Sequence, residues 1–250
     1  MMGAFFFLLG LAIGSFLNVC IYRIPRGISI VKPLSFCPGC RKPIRFYDNI
    51  PIISYIFLKG RCRYCGNLIS IQYPLVELIS GLFSLILFYK YGIKLEYVIY
   101  LVFISSLIVI SVIDIHYQII PDIISIPGMI AGLLVSLFLG KGLFNAIAGL
   151  VLGGGSLLFV AWIYSFIAGK EGMGGGDIKL MGMIGAWLGP KSIFPVVMLA
   201  SFSGIIVGII FLIGKNKGKE TPIPFGPFLS LGAICYLLLQ DVLPPQLIIP

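Results

Sequence analysis

The stretch EYVIYLVFISSLIVISVID, residues 96–114, decides the fold of this chain. Between Glu96 and Asp114 it contains seventeen consecutive residues without a charge. A helix needs about 20 mostly apolar residues to cross a hydrocarbon core of roughly 30 Å. The stretch is therefore predicted to be a transmembrane helix that ends in a carboxylate.

Similar runs occur along the whole chain, which is 59% hydrophobic and only 11% charged, far from the quarter-charged composition of soluble domains. We predict an all-α polytopic membrane protein. The first run has no charged residue before it and no A-x-A-type cleavage site, so it is read as a retained helix and not a signal peptide. About eight transmembrane helices are predicted, at 2–21, 73–90, 96–114, 122–140, 143–168, 177–190, 192–213 and 225–243.

The basic residues divide unequally between the two sides of the membrane. With the amino terminus outside, fourteen Lys and Arg fall in inside segments and four in outside segments, a positive-inside bias. The net charge of +9 is therefore explained by basic residues on the inner side of the membrane. We expect these residues to contact membrane lipid and not nucleic acid. Three parts are predicted: a first helix at 1–21, a cytoplasmic domain at 22–72, and a membrane domain at 73–250.

The 22–72 domain carries four of the six cysteines, as two C-x2-C pairs separated by twenty-one residues. A domain of about fifty residues usually needs a metal or disulfides to hold together. In a reducing cytosol a metal is favoured over disulfides, and free thiols are the alternative. The spacing predicts a small zinc-ribbon-like domain with structural zinc, held by Cys37, Cys40, Cys62 and Cys65.

Carboxylates at membrane depth are costly and are rarely kept without a function. Asp114 lies at the carboxyl end of its helix, where the macrodipole disfavours an anion, so it is a candidate catalytic group. Asp122 follows Pro121 at a helix start and fits a structural role as well as a catalytic one. His116, the only histidine, is a weaker candidate for a base.

A glycine run, Gly174-Gly175-Gly176, precedes the second candidate, Asp177. The chain lacks the strand that nucleotide-binding glycine loops require, which excludes phosphate binding. The glycines are expected to permit an unwound backbone beside an extended substrate. We expect Gly174, Gly176 and Lys179 to contact that substrate.

Two carboxylates brought together can share one proton, so that one activates water and the other polarises a carbonyl. Asp114 and Asp177 are therefore predicted to hydrolyse a peptide bond at the cytoplasmic face. The alternative is that Asp114 and Asp177 are interfacial loop residues without a catalytic role.

The run Gly174-Gly175-Gly176-Asp177 has the form G-x-G-D and resembles the signature of intramembrane aspartyl proteases, including presenilins. Other segments, in order along nearly the whole chain, resemble bacterial type IV prepilin peptidases. They are Gly14-Ser-Phe-Leu-Asn-Val-Cys-Ile-Tyr-Arg-Ile-Pro25, the two cysteine pairs, Ile44-Arg-Phe-Tyr-Asp-Asn-Ile-Pro51, Tyr73-Pro-Leu-Val-Glu77, and Ile113-Asp114 with Pro121-Asp122.

The resemblance implies a bifunctional enzyme of the bacterial inner membrane. It would remove the basic leader of prepilins or pseudopilins at the cytoplasmic face and then N-methylate the new amino terminus with S-adenosylmethionine. Asp114 and Asp177 match the family's catalytic aspartates, whereas Asp122 matches a position that is not catalytic. Because the leader is basic, we expect an acidic group, Glu171 or Glu77, to bind it. A structural role as a first-turn helix residue is the alternative for Glu77.

Two other functions are weighed against this one. The first is a methyltransferase or zinc-supported binding module with incidental aspartates, for which 22–72 has no room for a soluble methyltransferase fold. The second is a transporter with proton-relaying acids, although the two related halves typical of transporters are not evident.

Overall fold

The structure is a computed structural model that describes residues 1–140, 142–169, 174–214 and 223–240. Within these ranges it is helical, apart from two isolated antiparallel bridges. The α-helices are α1 Met2–Arg23, α2 Ile53–Phe57, α3 Gln72–Tyr91, α4 Leu95–Tyr117, α5 Asp122–Phe138, α6 Leu143–Ala168, α7 Gly175–Leu188, α8 Ile193–Gly214 and α9 Gly226–Leu239. Short 3-10 helices lie at Ile24–Arg26, Phe46–Asn49 and Pro190–Ser192.

Five of the described helical segments are long and apolar enough to cross a membrane: Met2–Arg26, Gln72–Tyr91, Leu95–Tyr117, Leu143–Ala168 and Pro190–Ile210. These five helices confirm the prediction of an all-helical membrane protein, but they do not confirm the predicted number of eight spans. The other three predicted spans correspond to shorter helices, α5 with 17 residues and α7 and α9 with 14 each. A 14-residue helix is about 21 Å long, which is less than the thickness of the hydrocarbon core.

The chain forms two compact units, Met1–Val109 and Ile110–Pro250. In the first, α1 and α3 pack closely because small residues face each other. A Cβ added at Gly10 would lie 2.6 Å from Ser80 O, and one added at Gly14 would lie 2.6 Å from Glu77 Cα. Ser84 Oγ donates to Phe6 O at 2.6 Å across the same contact. Gly10 and Gly14 thus serve helix packing.

The segment between α1 and α3 contains two turns of equivalent geometry. In the first, Cys37 N–H donates to Lys42 O and Arg41 N–H to Cys37 O. The second repeats these bonds twenty-five positions later, from Cys62 N–H to Asn67 O and from Gly66 N–H to Cys62 O. The bridges Phe36–Pro43 and Arg61–Leu68 close the two turns. Each turn presents two thiols from a short, tightly bonded loop.

In the second unit α7 contacts α5, α6 and α9. All nine residues from Leu180 to Leu188 are buried, which explains how so short a helix is stabilised. A Cβ at Gly153 of α6 would lie 2.6 Å from Met181 O, so the two backbones nearly touch. Trp187 Nε1 of α7 donates to Gly128 O of α5 at 2.7 Å. The first turn of α7 is therefore held on a rigid support.

Candidate functional site

Asp114 lies three residues before the end of α4 and is only 5% exposed. Its Oδ2 accepts a hydrogen bond of 2.9 Å from the backbone N–H of Gly226, the first residue of α9. The first N–H groups of a helix have no intrahelical partner, and the positive end of the macrodipole attracts an anion. The unfavourable effect of the α4 dipole on the Asp114 anion is thus offset by the favourable effect of the α9 dipole.

Asp177 is the third residue of α7 and is half-buried. Its backbone N–H donates to Gly174 O at 3.2 Å, within the first turn. It lies near enough to Asp114 for the two carboxylates to interact electrostatically. Both carboxylates therefore lie at helix amino termini, Asp114 at that of α9 and Asp177 at that of its own helix.

Ile120 packs between the first turns of α7 and α9, beside the two acids. A Cβ added at Gly176 would lie 2.9 Å from Ile120 Cβ, and one added at Gly226 would lie 3.3 Å from Ile120 Cδ1. A Cβ at Gly226 would also lie 2.7 Å from Asp114 Oδ2. Glycine at both positions allows three segments to meet beside the carboxylates. These are the loop that precedes α5, the start of α7 and the start of α9.

The expectation of an unwound glycine run is wrong for Gly175 and Gly176, which form the first two residues of α7. Gly174 has extended backbone angles and lies at the N-cap position. Gly176 permits the close contact with Ile120 while remaining helical. Glu171, the predicted contact for a basic leader, lies outside the described residues.

Lys179 and Asp122 form an ion pair, with Nζ 2.7 Å from Oδ1 and 2.8 Å from Oδ2. Asp122 is the first residue of α5, with Pro121 as the N-cap and not the first helical residue. The pair therefore joins the first residue of α5 to the fifth residue of α7. Both side chains remain about half exposed, and His116 is also exposed.

The four thiols of Cys37, Cys40, Cys62 and Cys65 lie within 4.8 Å of one another, and Cys37 Sγ is 3.8 Å from Cys65 Sγ. Zn–S bonds of about 2.3 Å in a tetrahedron require sulfur separations of about 3.8 Å. The pKa values of neighbouring thiols in the cluster diverge. Backbone N–H groups of Cys65 and Tyr64 lower the pKa of the Cys62 thiol to about 6, whereas the effect of the Asn67 N–H on Cys65 is outweighed by desolvation and the neighbouring thiols, which raise the pKa of Cys65 to about 11. A thiolate is the form that binds metal, so the cluster fits a zinc ion.

Gly226 is the residue of this site that sequence reasoning missed. Its signal was the sequence Pro224-Phe225-Gly226-Pro227, because Pro in the first turn is typical of a helix start. That pattern predicts a free N–H at Gly226 but does not indicate which carboxylate accepts it.

The fold and the site define a helical membrane protein with a pair of neighbouring aspartates and a separate four-cysteine cluster. Two family models match the chain, the bacterial peptidase A24 N-terminal domain over residues 8–91 and the type IV leader peptidase family over residues 101–209.

Curated relatives cover most of the chain. A prepilin leader peptidase/N-methyltransferase of Pseudomonas putida is 37% identical over 93% of this chain and 89% of the relative. One of Klebsiella pneumoniae is 42% identical over 80% of this chain and 90% of the relative. No solved structure matches. The chain belongs to the type IV leader peptidase family, and the resemblance noted in the sequence is confirmed.

Proposed function

We propose that this chain is a membrane aspartic endopeptidase that cleaves the basic leader of type IV prepilins or pseudopilins and N-methylates the new amino terminus. The observation that carries the proposal is the proximity of Asp114 and Asp177 at two helix amino termini. The relatives named as prepilin leader peptidase/N-methyltransferase support the substrate and both activities.

The two aspartates divide the work of hydrolysis. One ionised carboxylate removes a proton from water, which attacks the scissile carbonyl, while the protonated partner hydrogen-bonds the carbonyl oxygen. The Gly226 N–H holds Asp114 in position and favours its anion. Gly174, the N-cap of α7, and Gly176 and Lys179, its second and fifth residues, would contact the leader, together with Glu171.

The proposed arrangement in the cell is a multi-pass protein of the inner, cytoplasmic membrane with eight transmembrane helices. Fourteen of the eighteen Lys and Arg fall on one side in that topology, which supports a cytoplasmic active site. The basic 22–72 domain would then face anionic lipid headgroups, and no nucleic acid is required. Residues 73–250 form the protease part.

Cleavage of a purified prepilin by the full chain in detergent or lipid tests the peptidase. Asp114→Asn and Asp177→Asn are each expected to abolish cleavage, because an amide neither ionises nor shares the proton. Glu96→Gln makes the same chemical change in the first turn of α4 and should cleave normally. Cleavage that survives both aspartate substitutions would contradict the proposal that Asp114 and Asp177 hydrolyse the peptide bond.

Zinc bound by Cys37, Cys40, Cys62 and Cys65 is proposed to stabilise the 22–72 domain without entering the chemistry, because four thiolates leave no open coordination position. Elemental analysis of the purified protein should give one zinc per chain. Cys40→Ser should lose the metal, and Cys235→Ser, a cysteine of α9, should keep it. Equal zinc in both variants would contradict the assignment.

A further inference from the structure

The short helix α2, in the first unit, carries a row of exposed apolar side chains. Ile53, Ile56 and Phe57 lie at positions i, i+3 and i+4, which fall on one face of a helix. These side chains are 50%, 65% and 82% exposed, respectively. An exposed apolar face is unfavourable in water, so it indicates a surface that an apolar partner covers.

The opposite face of α2 is the more polar one. Its residues Ser54, Tyr55 and Leu58 line a cavity of about 420 Å³. Asn18 of α1 and Glu77 of α3 line the same cavity. A surface helix of a soluble domain buries its apolar face and exposes its polar face. The helix α2 shows the reverse arrangement, which is favourable where its outer side meets lipid.

A hydrogen bond fixes the start of α2 beside the first turns of α3. Ile52, the residue before α2, donates its backbone N–H to Glu77 Oε2 at 2.8 Å. The helix α3 has 20 residues, so its length of about 30 Å equals the thickness of the hydrocarbon core. Gln72, its first residue, therefore lies near the boundary of the core, and Glu77 lies about 7.5 Å further along the axis. This bond thus holds α2 at the level of the membrane interface.

The same bond stabilises an unusual turn. Ile52 has φ of 60° and ψ of −49°, and Ile53 N–H donates to Pro51 O, which is the geometry of a γ-turn with positive φ. Such a turn is strained, especially for a β-branched residue. The hydrogen bond to Glu77 offsets this strain. Glu77 is therefore a positioning residue for α2.

The segment that carries α2 has the charge expected for contact with an anionic membrane surface. Lys59 and Arg61 follow the end of α2, and both are exposed. The whole 22–72 segment contains nine Lys and Arg but one acid, Asp48, which Arg63 already holds at 2.6 Å. The apolar helices α1 and α3 keep this segment next to the bilayer. Anionic lipid is therefore a better partner for this surface than a basic leader peptide, which the same charges would repel.

We propose that α2 is an interfacial membrane anchor. Ile53, Ile56 and Phe57 insert between the headgroups and acyl chains of an anionic bilayer, and Lys59 and Arg61 lie at the lipid phosphates. The assignment rests on the proposed inner-membrane topology and adds buried apolar area to the lipid contact proposed for the basic residues. The anchor restricts how the segment with the two cysteine turns can move relative to the bilayer.

A fluorine label at position 57 tests the proposal without relying on activity. Trifluoromethylphenylalanine replaces Phe57 in the full chain, in nanodiscs of phosphatidylethanolamine and phosphatidylglycerol. Relaxation of its fluorine NMR signal is then measured with doxyl-labelled lipid and with a water-soluble gadolinium chelate. The doxyl lipid should relax the label at 57 about threefold or more above the same label at Tyr55, on the opposite face of α2. The label at Phe202, exposed on the span α8, is the reference for full lipid contact.

A charge on the apolar face provides a second test. Ile56→Asp places an anion where the bilayer is anionic, so it should lower relaxation of the label at 57 by doxyl lipid about threefold or more. Leu68→Asp adds the same charge at an apolar side chain that is 79% exposed and lies outside α2. This control should leave the label as in the wild type. Equal effects of the two variants would overturn the placement of this face in lipid.

The role of Glu77 is tested with the same label. Glu77→Leu removes the acceptor for Ile52 N–H, so it should lower the contact of the label at 57 with doxyl lipid. Glu77→Gln keeps a side-chain oxygen as acceptor and should retain most of that contact. Full lipid contact in the Glu77→Leu variant would show that this bond does not position α2.

Other occupants of the apolar face give different signals. A label at 57 that the chelate relaxes and the doxyl lipid does not would place the face in water and overturn the proposal. A label that neither agent relaxes would place it against protein, as in a contact with a second copy of the chain, and would also overturn it. Protection from the chelate that appears only after a prepilin is added would identify a substrate surface instead.

The anchor and the peptidase fail in different ways. Wild-type protein that cleaves a prepilin while the label at 57 remains in water would overturn the anchor and leave the peptidase intact. Protein whose label contacts lipid but that cleaves no prepilin would contradict the peptidase function while supporting the anchor.

Discussion

The backbone N–H of Gly226 donates a 2.9 Å hydrogen bond to Oδ2 of Asp114, which lies 112 positions earlier in the chain. Because Gly226 begins α9, the carboxylate receives both a free helical N–H and the positive end of a helix dipole. An acid in the last turn of one helix is thereby oriented by the start of another. The position of Asp114 thus depends on the absence of a side chain at 226.

Gly226→Ala is expected to lower the rate of prepilin cleavage by about tenfold to a hundredfold. The new Cβ would lie 2.7 Å from Asp114 Oδ2, which is too close, so the carboxylate would be displaced. Initial rates at saturating substrate measure the effect. Gly155→Ala in α6 is the control, because a Cβ there meets nothing within 4 Å. Equal rates for the two variants would show that the Gly226 contact does not position the acid.

Gly176→Ala should also lower cleavage, because its Cβ would lie 2.9 Å from Ile120 Cβ and would displace the first turn of α7. Gly175→Ala, one residue earlier, meets nothing within 4 Å and should retain the wild-type rate. Adding Ile120→Ala to Gly176→Ala should restore part of the lost activity by removing the clash. A double variant no faster than Gly176→Ala would contradict this steric explanation.

The ion pair between Asp122 and Lys179 is expected to steady the turn that carries Asp177. Exposed ion pairs contribute about 0.2–1 kcal/mol, so Asp122→Asn or Lys179→Met should slow cleavage by up to about fivefold and barely change the melting temperature. A double-mutant cycle should give a double variant no slower than either single one. Fully additive losses would mean that the two residues act separately.

Wild-type cleavage should also fall as salt rises toward 1 M, whereas the Asp122→Asn enzyme should respond less, because salt screens the exposed pair.

The Asp48 carboxylate predicts a pH-dependent stability of the 22–72 domain. Hydrogen bonds from the Arg63 guanidinium hold the pKa of Asp48 below its ordinary value of about 3.9. The paired anion therefore stabilises the folded domain above about pH 4, and this contribution is lost as pH falls through the lowered pKa. Asp48→Asn should make the domain more susceptible to protease at pH 7, and this difference from wild type should disappear in acid. A difference independent of pH would exclude the ionised pair as its cause.

The helix boundaries could be predicted closely where apolar runs end in charged residues. The first predicted span, 2–21, is observed as Met2–Arg23, and the span 143–168 coincides with Leu143–Ala168. The helix predicted at 96–114 continues to Tyr117, so Asp114 lies inside it and not at its end. The predicted sixth span, 177–190, corresponds to the short, buried α7, and its glycines bring it against the backbone of α6.

The sequence by itself determined the helical membrane architecture, the four thiols of the cysteine cluster and the two aspartates. These are local properties, because an apolar segment in lipid must satisfy its own backbone hydrogen bonds and an isolated acid there is costly. Only the tertiary structure decided that Gly226 binds Asp114, that Ile120 packs against Gly176, and that Asn18 and Glu77 line one cavity. Such contacts depend on how separate helices fit together, which the hydrophobic pattern of any one segment does not encode.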